Sequence, residues 1–294
     1  MLGRKLAVVV VIAVLGAGAA LVLLGCGSQT ATKGKPSATA APPTTHADTA
    51  TTATTTTTSA GVTLSNPPSP EQTASVAADA YSLKLNEFGG SDPISMSSQG
   101  NTDFKIESSA LSIPTGGTPE GYFELLKGCS WGDCTNNSGA PFPLRVSDVK
   151  AGQLATSASC QTATANGNWD NAYDIWFNAS RSAGQTKNSA GAHLEMMIWL
   201  DHTPAAVPIG SLRASNVQLA GNTYDVWYGG NNTLSYVLRR PSSGISTDLY
   251  PLIKDAVQRG FLQPSWWLLD VEMGFEIWNG GAGLGCSSFA VGAS

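Results

Sequence analysis

Three carboxylates in this chain lie on apolar, β-type segments beside tryptophan. The first is in His193-Leu194-Glu195-Met196-Met197-Ile198-Trp199-Leu200. Side chains alternate between the two faces of an extended strand. Leu194, Met196, Ile198 and Leu200 therefore share one fully apolar face, and Glu195, Met197 and Trp199 share the other. The second segment, Gly274-Phe275-Glu276-Ile277-Trp278, turns Phe275 and Ile277 inward and Glu276 and Trp278 away. The third, Tyr173-Asp174-Ile175-Trp176-Phe177, sets Asp174 and Trp176 opposite Tyr173, Ile175 and Phe177. An ordinary solvated strand face would carry Thr, Lys or Ser. A carboxylate beside exposed Trp and Met predicts a concave, partly dry groove.

Such a groove suits the cleavage of a glycosidic bond. The leaving oxygen departs poorly unless protonated, and the transition state carries oxocarbenium charge. Two carboxyl groups in different protonation states meet both needs. Tryptophan faces stack on the apolar faces of sugar rings. A lone Glu on a strand is more often a solvated surface group, so the pattern rests on the three segments together. Glu272 shares the groove-side parity of Glu276. It lies four residues earlier, about 13 Å along an extended strand, so only one of the two can protonate a given bond.

The elements that must hold these residues are mostly short strands divided by Gly, Asn, Ser and Pro, among them 172–178, 193–200, 224–228, 234–238 and 266–278. One segment reads as helix. Asp248 can cap it, Pro251 falls in its first turn and Gly260 can stop it. Leu249, Leu252, Ile253, Ala256 and Val257 form its apolar stripe. The predicted fold is all-β: a jelly-roll sandwich of two packed antiparallel sheets, one helix outside and a concave cleft.

Charged residues make up only 13% of the 294-residue chain, and its net charge is −5. With no Lys/Arg stripe to neutralise phosphates, nucleic acid is excluded as a partner. Arg4 and Lys5 precede an uncharged apolar run over 6–25 that ends in Leu23-Leu24-Gly25-Cys26. The run predicts an export segment over 1–26. It is read first as a lipoprotein signal lipidated at Cys26, with an uncleaved anchor and plain secretion as alternatives. All three put the rest of the chain outside the cytoplasm, touching membrane only through this segment. From Cys26 to Gly61 there is no Val, Ile, Leu, Met, Phe, Trp or Tyr. The expected linker spans 27–73 and the catalytic domain 74–294. Outside the cell, disulfides are permitted. Cys129 and Cys134, with Gly132 between them, predict a small closed loop, and Cys160 and Cys286 are available as a second pair. The chain has three His and no CxxC motif, so no metal or cofactor is expected.

Five blocks are similar to those of glycoside hydrolase family 12, in particular its actinobacterial endoglucanases. They are Asn86-Glu87-Phe88-Gly89, Lys127-Gly128-Cys129-Ser130-Trp131-Gly132-Asp133-Cys134-Thr135, Ala172-Tyr173-Asp174-Ile175-Trp176-Phe177, Glu195-Met196-Met197-Ile198-Trp199-Leu200 and Gly274-Phe275-Glu276-Ile277-Trp278. The resemblance implies a β-jelly-roll endo-β-1,4-glucanase, monomeric, acting on cellulose-like glucans. Xyloglucan or mixed-linkage glucan is the alternative substrate, and a noncatalytic glucan-binding protein the alternative role. It implies Glu195 as nucleophile, Glu276 as acid/base and Asp174 as a carboxylate hydrogen-bonding near the nucleophile. It implies Asn86, Phe88, Trp131, Met197 and Trp199 as substrate-binding residues, with retention of configuration. In a retaining pair the carboxyls stand about 5–5.5 Å apart. The chain departs from the pattern at Phe88, where the family usually has Trp. It also lacks an early cysteine expected around 95–99.

Overall fold

Alternation of apolar and polar residues builds two stacked sheets, seen in a computed structural model that describes residues 61–136, 142–162, 165–187 and 191–292. The predicted export segment and Cys26 lie outside the described residues. The smaller sheet runs, in spatial order, through Val62–Asn66, Ile94–Ser98, Phe104–Ser109, Gly285–Gly292, Ala155–Gln161 and Gly244–Asp248. The larger runs through Ser211–Leu219, Asn222–Gly229, Thr233–Leu238, His193–His202, Gly167–Asn178, Asp270–Gly280, Gly121–Ser130, Tyr81–Glu87 and Glu71–Val76. This is the jelly-roll sandwich expected from the sequence.

The core lies between the sheets. Leu194, Met196, Ile198 and Leu200 enter it from one central strand, Tyr173, Ile175 and Phe177 from the next, and Phe275 and Ile277 from the third. Each such side chain is almost wholly removed from water, and burial of that kind contributes about 1.5–3 kcal/mol per residue. A second, smaller apolar cluster forms on the other face of the larger sheet from Ala172, Met197, Trp199, Val237 and Trp278 with Ala206. The larger sheet is thus apolar on both sides at its centre. Gly121–Ser130, buried along its whole length, reflects this.

Several details differ from the sequence reading. Val62–Asn66 and Glu71–Val76 are strands, so the folded domain begins before the expected boundary at Ala74. Val62–Asn66 places Leu64 in the core while Glu71–Val76 is an edge strand, and a short edge strand needs few apolar residues. The sheets are not purely antiparallel, because Thr233–Leu238 runs parallel to His193–His202. The expected strand over 266–278 is broken at Leu269 into Trp267–Leu268 and Asp270–Gly280.

The helix spans Tyr250–Gln258 and buries Leu252, Ile253 and Ala256. Asp248 Oδ1 accepts the Tyr250 N–H at 3.1 Å, one residue before the formal cap at Leu249. Gly260, at φ +79°, takes the left-handed conformation that ends a helix cheaply. Cys129–Cys134 and Cys160–Cys286 are both disulfides. Each joins residues directly opposite one another in paired strands.

Candidate active site

The central strand Gly167–Asn178 carries the site on its outer face and pairs with a catalytic candidate's strand on either side. On one side it pairs with His193–His202, which sets Trp176 opposite Glu195, Asp174 opposite Met197 and Ala172 opposite Trp199. On the other it pairs with Asp270–Gly280, which sets Asp170 opposite Glu276 and Asp174 opposite Glu272. Leu200 and Trp278 are extra residues at two bulges in these ladders. Bulges bend a strand and sharpen its twist, and they recur beside active sites. Above the sheet lies a cleft of about 1360 Å³, and Glu195, Glu276, Asp174, Met197, Trp199 and Trp278 all line it. Asn86, Phe88, Trp131 and Trp176 line it as well, so the structure gathers every candidate groove residue in one place.

Met197 and Trp199 are almost fully buried, not exposed as the sequence suggested. The Trp199 indole N–H points to Met197 Sδ at 3.5 Å, and Trp278 donates to the Gly117 carbonyl at 2.8 Å. Their packing against one another makes a firm apolar floor. The exposed aromatics stand elsewhere: Phe88 is 50% and Trp131 45% exposed. Trp131 sits at φ +50° in the turn closed by Cys129–Cys134, edge-on to Trp176 with ring centroids 6.0 Å apart. A left-handed conformation at a residue other than Gly costs on the order of 1 kcal/mol, and the disulfide holds the residue there.

The carboxyls are in different electrostatic surroundings. Burial raises Glu195 above the usual carboxylate range, and the Thr233 hydroxyl, donating to its Oε2 at 2.7 Å, opposes that shift. Burial pushes Glu276 well up, and the facing Asp170 carboxylate pushes it further. Asp170 is itself raised to about 7, mainly by burial. The same cause, reinforced by Glu195 and Glu272, drives Asp174 well up. Asp174 Oδ2 accepts the Trp176 indole N–H at 3.1 Å, and no hydrogen bond to Glu195 is formed. Asp174 thus hydrogen-bonds to the residue paired with Glu195, and the Glu195 charge acts on it in turn.

Glu272, the competing acid, also lines the cleft. Its Oε1 is ion-paired to Lys84 Nζ at 3.3 Å. Glu272 is engaged by a buried ammonium, whereas Glu276 faces another carboxylate. Geometry thus separates the two. Asp170 was missed by the sequence reading, although its parity with Asp174 places it on the same face. Among the described residues, no group of His, Cys, Asp and Glu is arranged to hold a metal ion.

Comparisons with known proteins identify the family and the fold. The family model for glycosyl hydrolase family 12 matches residues 79–293. A probable cellulase, Cel12b, of Mycobacterium tuberculosis is 28% identical over 155 residues, covering 52% of this chain and 97% of that protein. The solved endoglucanase cel12A from Rhodothermus marinus is 33% identical with a TM-score of 0.70, covering 79% of this chain and 99% of that one. A family 12 xyloglucanase from Bacillus licheniformis, at 22% identity and a TM-score of 0.67, shares the fold.

Proposed function

This chain belongs to glycosyl hydrolase family 12, and on that premise we propose that it is a retaining endo-β-1,4-glucanase acting on cellulose-like β-glucans. Its activity as a glycosidase follows from the family. The finer reading rests on one observation above all. Glu195 and Glu276 flank the same strand in one Trp-lined cleft, and the polar residue facing each acts on it in the opposite direction. The Thr233 hydrogen bond favours the ionised form of Glu195, while Asp170 favours the protonated form of Glu276.

In this reading Glu276 first protonates the leaving oxygen while Glu195 attacks the anomeric carbon. The C–O bond to the leaving sugar breaks as the glycosyl ester to Glu195 forms. Glu276, now a carboxylate, takes a proton from water, whose oxygen attacks the same carbon and releases Glu195. Met197, Trp199 and Trp278 keep water from the reacting centre and strengthen the electrostatics there. Trp131 and Phe88, the exposed aromatics, stack on sugars further along the chain, with Asn86 beside Phe88. The cleft extends over many strands of the larger sheet, which suits internal cutting of a polymer.

We further propose that the domain works outside the cytoplasm, lipid-anchored through Cys26 or secreted, as a monomer. The test of function is hydrolysis of carboxymethyl-cellulose, barley mixed-linkage glucan and xyloglucan, with proton NMR of the first products. Rapid viscosity loss on cellulose-type chains and β-configured first products support the reading. Xyloglucan cleavage alone shifts the substrate, and α-configured first products overturn the mechanism.

A further inference from the structure

Lys84 is a buried cation with no part in the reaction just described. Its side chain is 7% exposed, with Nζ 2.5 Å from Glu124 Oε1 and 3.3 Å from Glu272 Oε1. Its backbone lies in Tyr81–Glu87, two strands from Asp270–Gly280, which carries Glu272. The side chain reaches across the intervening strand, where Glu124 is its register partner. Both carboxylates hold its ammonium in the charged form. Burying such charges costs several kcal/mol per ion, and apolar residues of the same volume often serve stability as well. Stability alone therefore gives a poor account of the group.

Its placement gives a better one. Lys84 and Glu272 line the cleft, whereas Glu124 lies beneath it. Glu272 presents one oxygen to Lys84, and its Oε2 has no protein hydrogen bond among the described residues. The next cleft-facing position on its strand is Gly274, whose register partner on the central strand is Ala172. Gly274 lets its strand pack closely on the neighbouring one, because a Cβ there would meet the Phe123 carbonyl and Glu124. Asn86, two residues from Lys84 and so on the same face of its strand, lines the cleft level with Glu276, with Phe88 just beyond.

We propose that Glu272, held in place by Lys84, is a substrate-binding residue that accepts hydrogen bonds from hydroxyls of a neutral hexosyl unit. That unit lies over the Lys84 side of the cleft, beyond the sugar whose bond is cut. A fixed carboxylate accepts from two neighbouring hydroxyls at once, and such charge-assisted bonds are about twice as strong as neutral ones. The proposal rests on the glucan-hydrolase reading and adds a binding residue to it.

The test is calorimetric binding of cellohexaose to the full, disulfide-bonded chain carrying Glu195→Ala, which cannot turn the sugar over. Adding Glu272→Ala should weaken binding about tenfold or more, the size expected for a hydrogen bond to a charged group. Glu272→Gln keeps the shape and one acceptor oxygen and should lose less. Glu124→Gln touches the same ammonium from beneath the cleft. It should lower Tm while leaving affinity within about twofold, well below the effect of a lost charged bond. With Glu195 intact, Glu272→Ala should raise KM by a larger factor than it changes kcat. Unchanged affinity in Glu272→Ala, or equal losses in Glu272→Ala and Glu124→Gln, overturns the proposal alone. No cellohexaose binding by the Glu195→Ala chain overturns the glucan reading and the proposal together.

Discussion

Asp170 and Glu276 face each other across the two strands at the centre of the cleft, and neither is in a salt bridge among the described residues. Two buried carboxyls so placed cannot both ionise cheaply, so a proton stays with the pair. Glu195 has no such partner in its ladder and instead receives the Thr233 hydroxyl.

Replacing Asp170 with Asn removes the facing negative charge. The charged form of Glu276 becomes less costly, so its carboxyl should titrate at lower pH than in the unaltered chain. Carbon-13 carboxyl NMR on the labelled protein reads this directly. An unmoved Glu276 titration would mean that the two groups are not electrostatically linked.

Thr233→Val keeps the shape of a buried side chain and deletes its hydrogen bond to Glu195. The ionised form of Glu195 then loses support, and its pKa rises. The acidic limb of kcat/KM against pH should move to higher pH, with activity at about pH 5 down roughly tenfold. The basic limb should stay where it is.

Folding stability should fall as pH rises. Asp170 is raised to about 7 in the native state, and Asp174 and Glu276 are raised well above their usual range. Between about pH 4 and pH 7 the native chain therefore holds more protons than the unfolded one. The Asp170 contribution is complete below about pH 4 and is lost as pH passes through about 7, and those of Asp174 and Glu276 are lost as pH rises through their own raised values. Calorimetric Tm should be lower at pH 8 than at pH 5. A Tm that rises over that interval contradicts the raised carboxyls.

The residues that announced the site did so through strand parity. The faces read for 193–200, 173–177 and 275–277 are those observed, because a one-residue error would have exposed a whole row of Leu, Ile and Phe. Parity also selects Asp170, yet one carboxylate at a strand start carries no distinctive pattern. Lys84 was hidden for another reason: its partners Glu124 and Glu272 are about 40 and 188 residues away along the chain. Only sheet order brings them together. The early strands were missed because Thr, Ser and Gln dominate them, a composition that strand and linker share. The parallel pair of Thr233–Leu238 and His193–His202 depends on a chain path that local pattern does not encode.

The two disulfides should differ in what they contribute. Cys129 and Cys134 are separated by 5 residues and Cys160 and Cys286 by 126. Chain entropy gives about 2 kcal/mol for the short loop and about 5 kcal/mol for the long one. Paired Cys→Ser variants at 160 and 286 should lose more stability in denaturant titrations. The variants at 129 and 134 should instead show raised KM, since Trp131 is no longer held at its strained φ. Equal KM values in the two variants would leave Trp131 without a role at the cleft.

The central claim is that Glu195 bonds covalently to the sugar while Glu276 manages the proton. An aryl 2-deoxy-2-fluoro-β-cellobioside with a good leaving group tests it most directly. The fluorine slows both steps, and the leaving group speeds only the first, so the glycosyl-enzyme accumulates. Peptide mass spectrometry should then find one added disaccharide, on the peptide carrying Glu195 and at that carboxyl. A label on Glu276 or Glu272 would contradict the account, as would an active enzyme that never takes up label and releases inverted product.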